Sequence, residues 1–145
     1  ITILQTMKGF GMKNFCIIIG LLLMCTSVKG EVIEIGNKAL ASLIEKQVPI
    51  IDIRRKEEWS KTGVIEGSIL MTFFDKDGKA DVNTWLKGLD LVANKNEPII
   101  LICRTGRRTG IVANFLSKKL KYAKVYDVTD GITEWIRKGN TVVKP

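Results

Sequence analysis

The sequence predicts an α/β fold built on a parallel sheet. After residue 30, short apolar runs alternate with stretches of helical periodicity. Two of the runs, Ile50-Ile51-Asp52-Ile53 and Ile99-Ile100-Leu101-Ile102, are apolar almost throughout, as strands buried on both faces are. Parallel neighbours need crossovers, and the intervening helical stretches supply them with the usual right-handed sense.

The elements run in order along the chain. Val32-Ile33-Glu34-Ile35 reads as a first strand. Asn37 is placed to cap a helix over Lys38 to Lys46, with Ala39, Leu40, Leu43 and Ile44 on one face. Pro49 precedes the strand Ile50 to Ile53, and a short helix over Lys56 to Lys61 is stopped by Gly63. Ser68 to Thr72 reads as a strand, and Asp75-Lys76-Asp77-Gly78-Lys79 has turn chemistry. Asp81 can cap a helix through Leu89, with Val82, Trp85, Leu86 and Leu89 at helical spacing. Pro98 introduces the strand Ile99 to Ile102. A helix from about Gly110 to Leu120 is expected to bury Ile111, Val112, Phe115 and Leu116. Val125 to Val128 is the last strand, and Ile132 to Lys138 the last helix before Gly139. Trp59, Trp85 and Trp135 are most simply core residues.

Residues 1–30 do not match this pattern. Lys8 and Lys13 precede the apolar run Phe15 to Cys25, which is shorter than the ~18 residues of a spanning helix and suits the core of a signal peptide. Val28 and Gly30 are small residues at the minus-three and minus-one positions of a cleavage site before Glu31. The reading is a leader, residues 1–30, followed by one domain, residues 31–145, exported to a compartment such as the bacterial periplasm. An uncleaved membrane anchor is the alternative, since Lys29 is not ideal at minus two. Lipid attachment at Cys25 is disfavoured, because Leu22-Leu23-Met24 lack the small residues such a site prefers. Met12 is an attractive start, with residues 1–11 upstream of it or a longer basic region.

Composition narrows the chemistry. Loss of the leader removes Lys8, Lys13 and Lys29 and lowers the net charge from +8 to +5. The remaining basic residues are spread out, and no nucleic-acid motif accompanies them, so a nucleic-acid partner is not expected. The chain has no histidine, which excludes histidine catalysis and histidine metal ligation. Cys103 is the one cysteine outside the leader, which leaves no internal disulfide and no cysteine-cluster metal site in the mature domain. No metal and no cofactor is expected.

Cys103 itself stands at an informative place. An apolar strand ends on it, and Arg104-Thr105-Gly106-Arg107-Arg108-Thr109-Gly110 leads straight into a helical pattern. That order sets a thiolate at the positive end of a helix, among backbone N–H groups, beyond the carboxyl end of a buried strand. Such a cysteine is a strong nucleophile. The bland reading, a buried structural cysteine, sits poorly with three neighbouring arginines.

Four stretches make the chain resemble the rhodanese-like sulfurtransferases, as a single-domain member. Asp52-Ile53-Arg54 followed by Glu57-Glu58-Trp59 matches the family's Asp-x-Arg, then Glu and an aromatic. Gly63-Val64-Ile65-Glu66-Gly67-Ser68 is similar to its Gly-His-Ile-x-Gly-Ala segment, with Val64 where His is common. Cys103 to Arg108 matches the six-residue active loop, and Gly131, Trp135 and Gly139 match the closing pattern.

The resemblance implies a three-layer fold with a central, mostly parallel five-stranded sheet flanked by helices. It implies that Cys103 takes sulfane sulfur from thiosulfate or polysulfide as a persulfide. The sulfur then passes to a thiophilic acceptor: cyanide, a thiol or a sulfur-accepting protein. Arg104, Thr105, Gly106, Arg107, Arg108 and Thr109 would form the anion cradle. Arg108 is expected to bind the anionic donor or to order the loop, and Arg104 and Arg107 to add positive potential. Asp52 and Arg54 are expected to support the fold near the site, with Asp52 accepting hydrogen bonds from loop or arginine groups, and Glu58 to pair with an arginine. One rival is a periplasmic sulfur carrier serving a membrane reductase. Another is a rhodanese-related phosphatase, in which the arginine comes one residue later; here that position is Thr109. A module used only for protein contact usually lacks the cysteine.

Overall fold

A computed structural model describes residues 29–145. The leader assignment falls on residues outside that range, apart from its last two.

Five strands form one parallel sheet: β1 (Glu31–Ile35), β2 (Ile50–Asp52), β3 (Ile69–Leu70), β4 (Ile99–Ile102) and β5 (Lys124–Val128). Their spatial order is β1-β5-β4-β2-β3, so the chain crosses over at each step as the alternating pattern requires. Helices α1 (Asn37–Glu45), α2 (Lys56–Thr62), α3 (Val82–Asp90) and α4 (Arg107–Asn114) fill the four connections, and α5 (Gly131–Arg137) follows β5. Among the described residues no helix is long and apolar enough to cross a membrane.

The sheet separates two cores. On one face Ile51, Ile99, Leu101 and Val125 pack with Trp85 and Leu89 of α3 and Val112 and Ala113 of α4. On the other, Ile50, Ile100, Ile102 and Val128 pack with Leu40 and Leu43 of α1 and Ile132 and Trp135 of α5. β4 lies in the middle and is buried along its whole length, which explains its unbroken apolar run. Burying each such side chain is worth roughly 1.5–3 kcal/mol, so β4 is an anchored platform for Cys103, the next residue in the chain.

Several local expectations are corrected. Gly36, not Asn37, is the N-cap of α1, and the Asn37 side chain makes no cap bond. Ala39 is exposed and Ala41 packs in its place. The strand expected over Ser68 to Thr72 is regular only at Ile69–Leu70, because β3 is an edge strand paired on one side. α4 begins three residues earlier than its apolar pattern suggests, since polar Arg107 and Arg108 form its first turn. It then passes into a π-helical stretch, Phe115–Lys119. Ile111, expected in the core, is 58% exposed. The caps at Asp81 and Gly63 and the turn at Asp75 are as read: Asp81 accepts from Thr84 N–H at 3.1 Å, and Asp75 Oδ1 accepts from the amides of Asp77 and Lys79.

Val64 fills the place where His is common. It is buried and exchanges two backbone hydrogen bonds with Val143, of 2.9 and 2.8 Å, so an apolar bridge to the C-terminal segment replaces a polar side chain.

Candidate active site

Cys103 directly succeeds β4 and is 1% exposed. Its Sγ accepts a hydrogen bond from the Gly106 N–H at 3.2 Å and lies 3.6 Å from Thr109 Oγ1. The chain reverses around the sulfur at Gly106, whose φ of +85° is left-handed. A Cβ there would overlap the Thr129 carbonyl oxygen, so glycine is required twice over, for the turn and for the close approach.

The first hydrogen bond of α4 runs from Gly110 N–H to Gly106 C=O. The amides of Arg107, Arg108 and Thr109 precede it at the positive end of the helix. The second half of the loop is therefore the first turn of α4. The back of the loop is fastened to α5: Ile132 N–H donates to Cys103 C=O at 2.9 Å, and Thr133 N–H to Arg104 C=O at 3.1 Å. With those carbonyls bonded to α5, the Gly106 N–H is the loop amide that donates to the sulfur.

The arginines divide into two kinds. Arg108 reaches α2, where its guanidinium donates to both Glu58 oxygens at 2.8 and 2.6 Å. The bond to Glu58 fits the loop-ordering role, and the guanidinium also stands within range of the Cys103 sulfur. Those hydrogen bonds hold the Glu58 carboxyl down at about 2 and raise the guanidinium in turn. Glu58 also caps α2, accepting from Arg55 N–H at 3.1 Å. Arg104 and Arg107 are exposed and line a cleft of about 510 Å³ above the loop. Arg55, Phe74, Lys76 and Ile111 line the same cleft from other elements. Thr105 is exposed there, whereas Thr109 is buried beneath the loop.

Asp52 and Arg54 form a fully buried pair that does not touch Cys103. Arg54 Nε donates to Asp52 Oδ1 at 2.9 Å and Nη2 to Oδ2 at 2.7 Å. The remaining donors reach Thr62 Oγ1 at 2.8 Å and the Gly63 carbonyl at 2.9 Å. The pair locks the end of β2 to the end of α2 and so fixes the helix that carries Glu58. Its supporting part is thus two steps from the sulfur, through α2 and Arg108.

Sequence reasoning missed Asp127. It is 5% exposed on β5, between Val125 and Val128 of the core. An acidic residue inside an apolar strand run was the available signal. It also did not assemble Arg55, Phe74 and Lys76 with the loop, because they come from separate connections.

A sheet of this topology with a cysteine loop opening a helix beyond its central strand defines a rhodanese-like domain. The family profile for the rhodanese-like domain matches residues 37–138, and the chain belongs to that family. A rhodanese domain-containing protein of Drosophila melanogaster is 35% identical over 97 residues, covering 63% of this chain and 84% of that one. Among solved structures, a rhodanese-related protein of Thermoplasma volcanium shares the fold with a TM-score of 0.57 at 24% identity, over 78% of this chain and 99% of that one. A Rhodopseudomonas palustris protein described as a possible tyrosine phosphatase also shares it, with a TM-score of 0.54 at 18% identity, over 77% and 85% of the two chains.

Proposed function

We propose that this protein is a sulfurtransferase that moves sulfane sulfur from thiosulfate or polysulfide to a thiophilic acceptor through a Cys103 persulfide. The observation that carries the reading is the buried Cys103 sulfur in the loop that opens α4, with the Gly106 amide donating to it. The Cys103 thiolate attacks the outer sulfur of the donor. An Sγ–S bond forms as the donor's S–S bond breaks, and sulfite, or a polysulfide one sulfur shorter, leaves with the bonding pair. The loop amides stabilise the negative charge on the outer persulfide sulfur. Cyanide or a thiolate then attacks that sulfur and Sγ departs as thiolate. Arg104 and Arg107 raise the local concentration of the anionic donor.

The tight loop favours sulfur over phosphoryl transfer. Cys103 is almost completely buried, and Arg108 is occupied by Glu58. The test is the intact mass of the protein before and after thiosulfate or polysulfide, then after cyanide. One added sulfur on Cys103, removed as thiocyanate, supports the assignment, and Cys103→Ser should lose it while keeping the fold. Phosphate-ester hydrolysis without sulfur uptake refutes it. Stoichiometric sulfur retention with negligible turnover makes the protein a carrier for a reductase. Export is part of the same proposal, and an N-terminus at Glu31 in the protein recovered from the periplasm tests it.

A further inference from the structure

The cleft above the loop is larger than a small sulfur anion requires, and it is lined for something else. At about 510 Å³ it falls within the roughly 300–1,000 Å³ that suits a drug-sized ligand. Its walls come from separate elements: the N-cap of α2 (Arg55), the β3–α3 connection (Phe74 and Lys76), the loop and first turn of α4 (Arg104 and Arg107), and α4 further along (Ile111). Five cationic side chains line it against two carboxylates, and both carboxylates are engaged. Glu58 accepts two bonds from Arg108, and Asp75 Oδ1 accepts from the amides of Asp77 and Lys79. Arg108, which also acts on the Cys103 sulfur, is thereby committed to the loop. The other four cations are free to meet a ligand. Arg104 and Arg107 have no carboxylate partner among the described residues. Arg55 Nε stands 3.6 Å from Glu58 Oε2 and makes no hydrogen bond. Lys76 pairs with its exposed neighbour Asp77 at 3.3 Å, an interaction worth little in water. Two apolar side chains line the same cleft: Ile111, 58% exposed, and half-buried Phe74. Thiosulfate and cyanide have no apolar surface to set against them.

We propose that this cleft receives an acidic, cysteine-bearing segment of a protein that accepts the sulfur; the proposal rests on the Cys103 persulfide above and names its acceptor. Carboxylates of the segment meet Arg55, Lys76, Arg104 and Arg107, and an apolar residue beside its cysteine covers Ile111 and Phe74. The segment's thiol gives its proton to water, and the thiolate attacks the outer sulfur of the Cys103 persulfide. A new S–S bond forms on the partner as the old one breaks, and Sγ leaves as thiolate. Cations drawn from separate walls spread the positive potential over the whole cleft. One small dianion cannot neutralise all of them, whereas a segment with several carboxylates can. A nucleic acid would bring the same charge, but half-buried Phe74 is the one aromatic side chain lining the cleft, and stacking needs a platform of exposed rings.

Binding is measured first, by fluorescence anisotropy of labelled Glu-Glu-Leu-Ser-Glu-Glu, whose serine prevents reaction, and of the same peptide with Gln for every Glu. At low salt the acidic peptide should bind the full chain at least about tenfold more tightly than the neutral one. Arg55→Gln and Lys76→Gln should each weaken it about threefold, with the differences shrinking at high salt. Ile111→Ser should weaken it about threefold at every salt concentration. Transfer is then followed by intact mass, as the peptide with Cys for Ser discharges the Cys103 persulfide. The three variants should slow that discharge by similar factors and leave discharge by cyanide within about twofold. Equal binding of the two peptides overturns the proposal, and so does binding that no variant weakens. Mercaptosuccinate discharging the persulfide as fast as the acidic peptide would make the acceptor a small anionic thiol instead. Oligothymidylate binding as tightly as the acidic peptide would leave only an unselective positive field. A persulfide that forms while the two peptides bind alike removes the docking site alone. No persulfide with thiosulfate or polysulfide removes the sulfurtransferase reading and the acceptor with it.

Discussion

Arg54→Met removes one guanidinium and strands a buried charge. Asp52 loses its ion pair in a place where both side chains have no exposure, while the Thr62 hydroxyl keeps its bond to the Glu58 carbonyl. Breaking a fully buried pair by deleting one partner costs about 3–5 kcal/mol, because the remaining charge has neither water nor a counter-ion. Methionine matches the aliphatic stem, so cavity formation adds little. For a domain of this size, 1 kcal/mol moves the midpoint by about 4 °C, and the expected loss is ~12–20 °C. Urea unfolding followed by tryptophan fluorescence measures it directly. The double variant Asp52→Asn/Arg54→Met should recover at least about 1 kcal/mol, since the stranded charge is gone. Below the lowered midpoint, Cys103 alkylation should stay within about twofold, because the pair does not touch the sulfur. A loss under about 1 kcal/mol, or a double variant no more stable than the single one, would refute the argument that an unpaired buried charge dominates here.

Glu58→Gln releases Arg108 from α2 and should cost about 1–2 kcal/mol by thermal unfolding, a figure discounted for the partial exposure of the pair. In the unaltered protein the Glu58 carboxyl is held at about 2 against 4.5, so its stabilisation is complete above about pH 4.5 and disappears as pH falls through about 2. Acid unfolding of Glu58→Gln should lack that component, and identical acid curves would contradict the pairing. Gly106→Ala forces a Cβ into the Thr129 carbonyl at a left-handed φ, and should destabilise by at least about 2 kcal/mol while slowing Cys103 alkylation. Normal stability and reactivity would mean the loop is not held as described. Arg104→Ala and Arg107→Ala should each lower kcat/KM for thiosulfate about threefold to tenfold at low salt, with the difference shrinking at high ionic strength. A salt-independent effect would argue for direct contact rather than a field.

How much of the site could be read beforehand varies from residue to residue. Ile99–Ile102 was legible to the residue because a strand buried on both faces carries an apolar side chain at every position. Cys103 was legible because strand, glycine turn and helix are all local. The start of α4 was not: Arg107 and Arg108 break its apolar pattern, and only the left-handed turn at Gly106 and the pull of Glu58 place them in the helix. Ile111 was misread for a related reason. It has helical spacing with Phe115, but the sheet covers the other side of α4 and leaves Ile111 facing the cleft.

The sequence by itself determined the alternation of strands and helices and the place of Cys103 in the loop that follows β4, since propensity, period and turn chemistry act over a few residues. Tertiary structure alone decided what each charge does. Arg108 meets Glu58 across fifty residues of chain, and Arg54 closes on Thr62 and Gly63. A charged side chain has no preferred partner until burial withdraws water from it, and which partner is then in reach depends on the order of the strands in the sheet.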